Sequence, residues 1–427
     1  MKILLIANGD FFSTYGGGQV YVKNLVDEMI RQQLAVSVFS FINKPSEIPF
    51  EKKNYKGVDL YELYTKDLKI IKKLIEEINP NVIHAHAEKA LFALISKQVS
   101  IPLIITSHHG GITCPAGTLM NTKDEICKVP VSHKNCFACV LRNSKGGKGF
   151  YRFFKHIPLS YRLQWGKFIQ KLPFIYFLTP WSISSLQIEN KMRDWKVIAD
   201  KVDRVIAPSC IIAENMILNG LAKEKIKVVP HGIPIIVDSS GKQIEKEERL
   251  KFFYVGRLGY IKGIHNLLQA FVQLDSLKCE LHLIGDISGE YEQKLQKQYK
   301  QENLFFHGKI NPDKVLGYIR QFDILVHPAI YLEVFGLNIS EALSQGKPVI
   351  ATRCGGAEMQ IKDNENGLLI EPNNVDQLRD AMQWMIDHPK ERKTMAETAD
   401  KKVIPVENHV KEIHDLYLNL SKETNEK

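Results

Sequence analysis

The chain has 427 residues and a formal net charge of +9, with 44% of its residues hydrophobic and 25% charged. This length suits roughly two to three domains with their own cores, and the composition is that of a globular protein and not of a disordered one. No apolar run approaches the ~18 residues of a membrane-spanning helix, and the opening MKILLIANGDFF is too short and strand-like for a signal peptide. Seven cysteines without an export signal predict reduced thiols in the cytoplasm.

Strand-like apolar runs alternate with helical patterns along the chain. In the first half the predicted strands are ILLIAN, AVSVFSF, NVIHAHA, PLIITSH, FIYFLT, RVIAPS and KVVPHG. In the second half they are FFYVGR, CELHLIG, NLFFHGK, DILVHPA, KPVIAT and GLLIEP. Helical spacing between strands is clear at Leu68, Ile71, Leu74, Ile75 and Ile78. The alternation predicts parallel sheets that helices cover on both faces.

A polar stretch without periodicity, PIIVDSSGKQIEKEER, separates the two halves. We interpret it as an interdomain linker within residues 233–250. The predicted fold class is α/β, with two doubly wound, Rossmann-like parallel-sheet domains that face each other across a cleft, residues 1–232 and residues 251–404. A last helix within residues 405–427 could pack on either domain, including back on the N-terminal one.

Three consecutive glycines, Gly16 to Gly18, follow the first strand and open a helix. Glycines let backbone N–H groups approach an anion closely, and the helix N-terminus adds a favourable field. The pattern is neither GxGxxG nor a phosphate-binding GxxxxGK[ST] loop. It predicts an anion site, and a merely flexible loop is the alternative.

In the second half, Arg257 leaves the end of a strand and Lys262 precedes a helix. Two cations on one loop, beside Gly256 and Gly263, suit a diphosphate with two negative charges. Ordinary surface cations are the alternative.

The stretch YLEVFGLNISEALSQG places Glu333 at a strand end and Glu341 inside the following helix. Backbone N–H groups of Gly336 and Leu337 at the helix start suit an anion or a hydroxyl group, and a carboxylate one turn later can accept two hydroxyls of a vicinal diol. The alternative is that Glu333 only favours the helix dipole and that Glu341 is solvated.

Four cysteines, Cys114, Cys127, Cys136 and Cys139, lie in the loop of residues 110–145. The CxxC spacing of the last two is typical of a metal knuckle, and the other two would complete a four-thiolate zinc site. A structural zinc, free buried thiols and a redox-sensitive pair all remain open.

Residues 142–188 carry eight Lys or Arg and no Asp or Glu, and they are rich in aromatic residues. A basic and aromatic segment of this kind is typical of a peripheral contact with an anionic membrane surface. Stacking on nucleic acid and a plain solvated face are the alternatives; we expect no nucleic acid.

Several of these motifs, taken in order, resemble a known family. GRLGYIKG, EVFGLNISE with its Glu-x7-Glu spacing, and ATRCGGAEMQIKDNENGLLIEP look like the retaining glycosyltransferases of family 4 (glycosyl transferases group 1), which have the GT-B fold. GGGQVYVKNL, VIHAHA, TSHHG and VVPHG extend the resemblance to the first half. The resemblance implies an acceptor-side N-terminal domain and a C-terminal domain that binds a nucleotide-sugar.

The resemblance also implies roles for the phosphate and ribose ligands. Arg257 and Lys262 would bind the donor pyrophosphate and stabilise the departing diphosphate. Backbone N–H groups of Gly17 or Gly18 would contact the distal phosphate, and Glu341 would hold the ribose hydroxyls.

For the sugar end, the resemblance implies that Glu333, Phe335, Gly336 and Leu337 position the donor sugar. His108 would lie near that sugar, on the face from which the acceptor attacks. His109 is the alternative, because two consecutive histidines make the alignment with the family ambiguous by one position. His231 and Ala329 depart from the family pattern. Neither position is expected to take part in the chemistry, so only the local packing is uncertain at these two positions.

The function implied is transfer of a sugar with retention from a nucleotide-sugar, with uridine the expected base, to a lipid-linked or saccharide acceptor in surface polysaccharide biosynthesis. No cofactor would be needed for catalysis, and the enzyme would work in the cytoplasm, at the inner face of the plasma membrane. The alternatives are a nucleotide-sugar epimerase or phosphorylase of the same fold, or a non-catalytic subunit that binds sugar nucleotides; a dehydrogenase is disfavoured because GxGxxG is missing.

Overall fold

The structure is a computed structural model of the chain and describes residues 1–12, 16–143, 154–171, 179–235 and 249–425. Contacts between residues divide the chain into two compact units, each with its own sheet. Unit 1 consists of Met1–Ser13, Met29–Val229 and Ile413–Lys427. Unit 2 consists of Thr14–Glu28 and Pro230–Glu412. Within the described ranges, no helix combines the length and the apolar character needed to cross a bilayer.

The sheet of unit 1 has eight strands among the described residues. They are β1 (Lys2–Asn8), β2 (Ala35–Phe41), β3 (Phe50–Tyr55), β4 (Val58–Leu63), β5 (Val82–Ala85), β6 (Leu103–Thr106), β7 (Arg204–Ala207) and β8 (Ile226–Val228). Their order is β3-β4-β2-β1-β5-β6-β7-β8, so the chain reverses direction across the sheet between β1 and β5. Five successive residues of β1 are buried, as expected for a central strand covered on both faces.

One edge of this sheet corrects the prediction of a wholly parallel arrangement. Strands β3 and β4 are absent from the predicted set, and they pair antiparallel. Their tight turn places Lys56 and Gly57 at positive φ, the combination that suits a two-residue hairpin. The segment FEKKNY is largely polar because β3 is a partly exposed edge strand, and so it lacks the apolar run by which the buried strands were recognised.

The described helices in the first half of the chain are α1 (Gly17–Arg31), α2 (Leu68–Ile78), α3 (Lys89–Val99), α4 (His133–Asn143), α5 (Leu159–Ile169), α6 (Pro180–Lys201) and α7 (Cys210–Leu218). Helix α2 shows how local sequence sets such an element. The Asp67 carboxylate accepts a hydrogen bond from the backbone N–H of Lys69 at 2.8 Å, which caps the first turn. Asn79 ends the helix in the left-handed conformation, and the buried face has the predicted spacing, with Ile71, Leu74, Ile75 and Ile78.

The sheet of unit 2 has six described strands, and all of its pairings are parallel. They are β9 (Leu250–Val255), β10 (Cys279–Ile284), β11 (Leu304–Gly308), β12 (Ile324–His327), β13 (Val349–Thr352) and β14 (Gly367–Ile370). The order β11-β10-β9-β12-β13-β14 confirms the predicted doubly wound topology. Its switch point lies between β9 and β12, where the loops after the two strands diverge and leave a crevice for a ligand.

The helices of the second half are α8 (Ile264–Phe271), α9 (Glu290–Gln298), α10 (Pro312–Ile319), α11 (Leu337–Ser344), α12 (Gly356–Gln360), α13 (Val375–Asp387), α14 (Pro389–Thr398) and α15 (Val406–Asn425). Helix α8 buries Leu267 and Leu268 against the sheet core that includes Phe252 and Tyr254. Residues 413–425 of α15 are grouped with unit 1, where Arg204 Nη2 pairs with Glu423 Oε1 at 2.9 Å.

Parts of several predicted features lie outside the described residues. These are most of the FIYFLT run, residues 236–248 of the linker, residues 144–145 of the cysteine-bearing loop, residues 144–153 and 172–178 of the basic segment, and residues 426–427 of the C-terminal segment. Among the basic residues that are described, Arg162 is buried and packs over the Phe137 ring at 4.1 Å, so it does not belong to a basic surface.

Candidate active site

The loop after β9 carries the predicted phosphate ligands of unit 2. Arg257 is exposed, and the Tyr254 hydroxyl donates to its carbonyl oxygen at 2.8 Å. A short 3-10 turn, Tyr260–Lys262, then leads to Gly263, which has φ +72°. A Cβ on Gly263 would overlap the carbonyl oxygen of Pro328, just after β12. Only glycine permits this approach, which holds Lys262 beside the switch point of the sheet.

Lys262 and Glu333 form the centre of the site. Lys262 Nζ donates to Glu333 Oε2 at 2.6 Å and to the Tyr331 hydroxyl at 2.8 Å. The Tyr331 hydroxyl in turn donates to Glu333 at 3.1 Å, and His327 Nε2 lies 3.4 Å from the same carboxylate oxygen. The Lys262 and Glu333 side chains are only 14% and 12% exposed, so the pair is largely removed from water.

This cluster keeps both groups charged. Burial alone would raise the pKa of Glu333, but the Lys262 ammonium and the contact with His327 outweigh burial and hold that pKa well below its usual range. Burial would likewise lower the pKa of Lys262, and the Glu333 carboxylate reverses the effect and raises it. The site therefore presents a fixed ammonium and a fixed carboxylate at neutral pH.

The loop that carries Glu333 is anchored on both sides through its backbone. The N–H of Glu333 donates to the carbonyl of Cys354 at 2.8 Å, and the N–H of Gly356 donates to the carbonyl of Glu333 at 2.7 Å. The amide of Gln360 donates to the carbonyl of Phe335. These hydrogen bonds from neighbouring segments fix the direction of the Glu333 carboxylate. On an unanchored loop, a small backbone shift would change that direction.

Helix α11 begins at Leu337, directly after Gly336, which has φ +85°. Asn338 in its first turn donates to the Val255 carbonyl at 2.9 Å and lies 3.1 Å from His327 Nδ1. The start of the helix is thereby tied to the ends of β9 and β12. Glu341, one turn further, is partly buried, and burial raises its pKa to about 7.

The glycine-rich start of α1 is grouped with unit 2. A Cβ on Gly17 would lie 3.6 Å from Leu337 Cδ1, so Gly17 and the neighbouring Gly18 come close to the start of α11. Further along α1, the Tyr21 ring lies 4.0 Å from that of His231, which contacts Phe335 at 5.2 Å between ring centroids.

His108 belongs to unit 1, at the end of β6. Its Nε2 lies 2.9 Å from His86 Nδ1, and the two rings stack. His109 differs, because it is exposed and lines a cavity beside helix α6. Although His109 as a whole is exposed, partial burial of its ring in this cavity, with the nearby charges of Lys89 and Lys191, lowers the pKa of His109. The two histidines that sequence alone could not separate thus have distinct environments.

The four cysteines of the 110–145 loop are free thiols, and Cys114 and Cys136 are buried. Burial, with the nearby thiols of Cys114, Cys127 and Cys139, raises the pKa of Cys136 to about 11. In the part of the chain that the structure describes, no three His, Cys, Asp or Glu side chains are arranged to hold a metal ion. As placed, the thiols do not form a zinc site, and structural zinc stays a prediction.

The structure brings the predicted donor residues of unit 2 to the ends of β9 and β12 and adds four that sequence reasoning missed: Tyr331, His327, Asn338 and Gln360. His327 and Tyr331 had a usable signal, since they flank the end of a predicted strand, where loops in such sheets carry ligands. Asn338 and Gln360 act through contacts made only on folding, so no local pattern marks them.

Comparison with known proteins agrees with this geometry. The family model described as Glycosyl transferases group 1 matches residues 238–402, and the one described as Glycosyltransferase Family 4 matches residues 15–123. Together they cover more than half of the chain.

Among curated relatives, an uncharacterized glycosyltransferase of Methanocaldococcus jannaschii is 28% identical over 214 residues, which is 48% of this chain and 54% of the relative. The D-rhamnosyltransferase WbpZ of Pseudomonas aeruginosa is 26% identical over 214 residues, 47% of this chain and 54% of that protein. The chain thus spans about half the length of the curated relatives it matches.

Among solved structures, that of Anabaena Alr3699/HepE in complex with UDP has a TM-score of 0.66 at 18% identity, covering 98% of this chain and 100% of that one. The same protein in complex with UDP-glucose also has a TM-score of 0.66, at 17% identity and with the same coverage. At this identity the likeness is one of fold. The predictions of family and of fold are confirmed: the chain belongs to glycosyltransferase family 4, the glycosyl transferases group 1, and has the GT-B fold.

Proposed function

We propose that the protein is a retaining glycosyltransferase that moves a hexose-type sugar from a UDP-sugar to a lipid-linked or saccharide acceptor. The observation that carries the proposal is the buried Lys262–Glu333 pair at the switch point of a sheet within the segment matched by the group 1 family model. A fixed cation and a fixed carboxylate at this place suit a ligand that has both a diphosphate and hydroxyl groups.

The leaving group would be stabilised by Arg257 and Lys262. An ammonium has three N–H donors, and Lys262 directs two of them at Glu333 and Tyr331, so the third can donate to a phosphate oxygen. Arg257 is exposed and can supply a second, bidentate contact. Together they would offset the charge that develops on the diphosphate as the glycosidic bond breaks.

The sugar and ribose ends would be held by carboxylates. Glu333 accepts hydroxyl hydrogen bonds from the sugar, beside backbone N–H groups at the start of α11, and Glu341 accepts those of the ribose. His108 would lie near the donor sugar, and Gly17 or Gly18 would contact the distal phosphate. With retention, the donor phosphate itself takes the acceptor proton as the new bond forms on the face that the diphosphate leaves.

Uridine is our proposal for the base because Anabaena Alr3699/HepE, of the same fold, binds UDP and UDP-glucose. We also propose a role in surface polysaccharide biosynthesis; the match to a D-rhamnosyltransferase supports the transfer of a sugar. The lipid-linked or saccharide acceptor is part of the proposal, and the described part of the basic, aromatic segment of unit 1 supports a lipid-linked one.

We also propose peripheral contact with an anionic membrane surface, at the inner face of the plasma membrane, through helix α5. This helix exposes Tyr161 and Phe168, 52% and 54% of whose surfaces face solvent, and the Trp165 ring lies 6.2 Å and 5.6 Å from theirs. Aromatic side chains of this kind favour the interface between headgroups and acyl chains. Lys167 on the same helix adds attraction to anionic lipids.

Membrane contact is tested by sedimentation with vesicles of phosphatidylcholine containing phosphatidylglycerol. The variant Tyr161→Ser/Phe168→Ser is expected to remain in the supernatant while the unmodified protein sediments. Leu277→Ser is the control, because Leu277 is 72% exposed but lies in unit 2. Equal sedimentation of all three proteins would refute the role of α5.

The transfer activity is tested first by binding. Thermal unfolding is measured with UDP, GDP and ADP and with their glucose conjugates, since a ligand that binds the native state raises the midpoint. We expect UDP and UDP-glucose to produce the largest shift. No shift with any of the six compounds would refute the donor assignment, and release of UDP that does not increase with an added acceptor would refute transfer.

A further inference from the structure

Unit 1 contains a cavity of about 590 Å³ beside the loop that follows β6. Its wall includes His109, Gly111, Gln187, Asn190 and Lys191, on that loop and on helix α6. A cavity of this size accommodates a small ligand or one residue of a larger one. The wall combines a cation with amide side chains, which is the chemistry of a polar, charged ligand.

One lysine ammonium group lies at the wall of this cavity, and a second interacts with it electrostatically. Lys191 Nζ donates to the carbonyl of Gly111 at 2.7 Å, so its ammonium is held at the loop after β6. On the neighbouring helix α3, the Lys89 ammonium donates to the carbonyl of His86, after the adjacent strand β5. Both lysine side chains are partly buried, and both are directed at the carboxyl ends of adjacent strands.

Among the described residues, the carboxylates nearest to these cations offset their charge only in part, because each is also paired with another cation. Glu88, next to Lys89, pairs with Lys66 at 2.7 Å, and Asp194, at the cavity wall, lies 3.3 Å from Arg193. The carbonyl oxygens that receive the two ammonium groups satisfy hydrogen bonds but supply no negative charge. A partly buried cation whose charge is only partly offset is unfavourable, and a bound anion would reduce that cost.

The pKa shifts of both lysines agree with a positive charge that is only partly offset. Burial, followed by the charge of Lys191, lowers the pKa of Lys89 to about 8. Burial also lowers the pKa of Lys191, against the effect of Asp194. An anion in the cavity would reverse these shifts, because it would stabilise the charged form of each lysine.

We propose that this cavity binds an anionic group, a phosphate or a carboxylate, of the acceptor, with Lys191 as its principal ligand and His109 and Gln187 as hydrogen-bonding partners. Its role as an acceptor site rests on the proposed transfer function, whereas anion binding itself does not. The assignment deepens that function, because it restricts the acceptors to molecules that carry a negatively charged group.

The first test uses inorganic phosphate as the probe. Phosphate is titrated calorimetrically into the full-length protein, with potassium chloride of equal ionic strength as the reference, both without UDP and with UDP at saturation. We expect binding of phosphate in both series, weakened about tenfold in Lys191→Met through loss of a charge-assisted hydrogen bond, and largely retained in Lys191→Arg. The matched control is Lys196→Met, an exposed lysine on the same helix, which should behave as the unmodified protein.

The outcomes separate this proposal from the proposed function. Phosphate that binds Lys191→Met and the unmodified protein equally, or a titration no different from that of potassium chloride, would overturn the anion site. Loss of UDP binding alone would count against the donor assignment and not against the cavity. If Lys191→Met does not fold, His109→Gln is the second variant, and it should also weaken phosphate binding.

A lipid headgroup and a soluble anion are distinguished with vesicles. Vesicles of phosphatidylcholine with and without phosphatidic acid are compared with the unmodified protein and Lys191→Met. Loss of the phosphatidic acid preference in Lys191→Met supports a headgroup as the source of the anion. Unchanged vesicle binding, together with weakened phosphate binding, supports a soluble anionic acceptor.

Discussion

Lys262 and Glu333 are 71 residues apart in the sequence, yet Lys262 Nζ and Glu333 Oε2 lie 2.6 Å apart. The two side chains were assigned to opposite ends of a donor molecule, one to the diphosphate and one to the sugar. Their pairing means that each orients the other before a ligand arrives. A site of this kind is preorganised, and its charges need not be rearranged when the donor binds.

The pair makes Glu333→Gln a test of stability as well as of activity. Removing one partner leaves the largely buried Lys262 ammonium without its carboxylate, which costs about 3 kcal/mol of unfolding free energy. The control is Glu365→Gln, whose ion pair with Lys362 is more than half exposed and should change stability by no more than about 0.5 kcal/mol. The unfolding free energies of both variants are measured with denaturant. Equal losses in the two variants would show that the buried pair stabilises the protein no more than an exposed one.

Arg257→Ala should separate binding from stability. Arg257 is exposed, so its truncation should change the unfolding free energy by no more than about 0.5 kcal/mol. In its proposed role it contacts the diphosphate, and its loss should weaken UDP binding about tenfold or more. Calorimetry with UDP measures the effect, with Arg379→Ala as the surface control. Unchanged UDP affinity in Arg257→Ala would remove it from the donor site.

The raised pKa of Glu341 predicts a pH dependence. Because its pKa of about 7 in the folded protein exceeds the usual value of 4.5, its stabilising contribution is complete below pH 4.5 and is lost as the pH rises through about 7. The stability of Glu341→Gln should therefore increase relative to the unmodified protein over this range and then level off. Denaturant unfolding at intervals from pH 4.5 to 8 measures the difference, with the exposed Glu302→Gln as background. A constant difference would contradict the raised pKa.

The raised pKa of Glu341 also predicts how the affinity for UDP depends on pH. A carboxylate accepts hydroxyl hydrogen bonds more strongly than a protonated carboxyl group. If Glu341 holds the ribose, UDP affinity should rise between pH 6 and 8 in the unmodified protein, beyond the change seen in Glu341→Gln. Parallel pH profiles for the two proteins would place the ribose elsewhere.

Two glycines give a matched pair of backbone tests. Gly263→Ala introduces a Cβ that overlaps the Pro328 carbonyl at a positive φ, and it should cost about 2 kcal/mol or more while displacing the Lys262 turn. Gly317→Ala, on helix α10, meets open space and should stabilise the protein by about 0.5–1 kcal/mol. Thermal unfolding of both variants measures the contrast. Similar effects of the same sign would contradict the close approach at Gly263.

The hydrophobic pattern was sufficient for most strands because a parallel strand buried on both faces must be apolar along its buried stretch, as residues 3–7 of β1 and 252–255 of β9 are. It failed at β3, where one strand lies at the edge and its charged residues face water. The sequence predicts the C-terminal helix but leaves open which domain it packs on, because an amphipathic pattern shows which face is buried and not which surface covers it.

What the sequence determined by itself was local: the alternation of strands and helices, the loops that carry Arg257, Lys262 and Glu333, and the motifs that define the family. Only the tertiary structure decided that Lys262 pairs with Glu333, that Gln360 and Gly356 anchor the Glu333 loop, and that Arg162 turns inward onto Phe137. The physical reason is that spacing along the chain reports which face of an element is apolar, whereas charge pairing and pKa depend on distances and burial that exist only after distant segments have packed together.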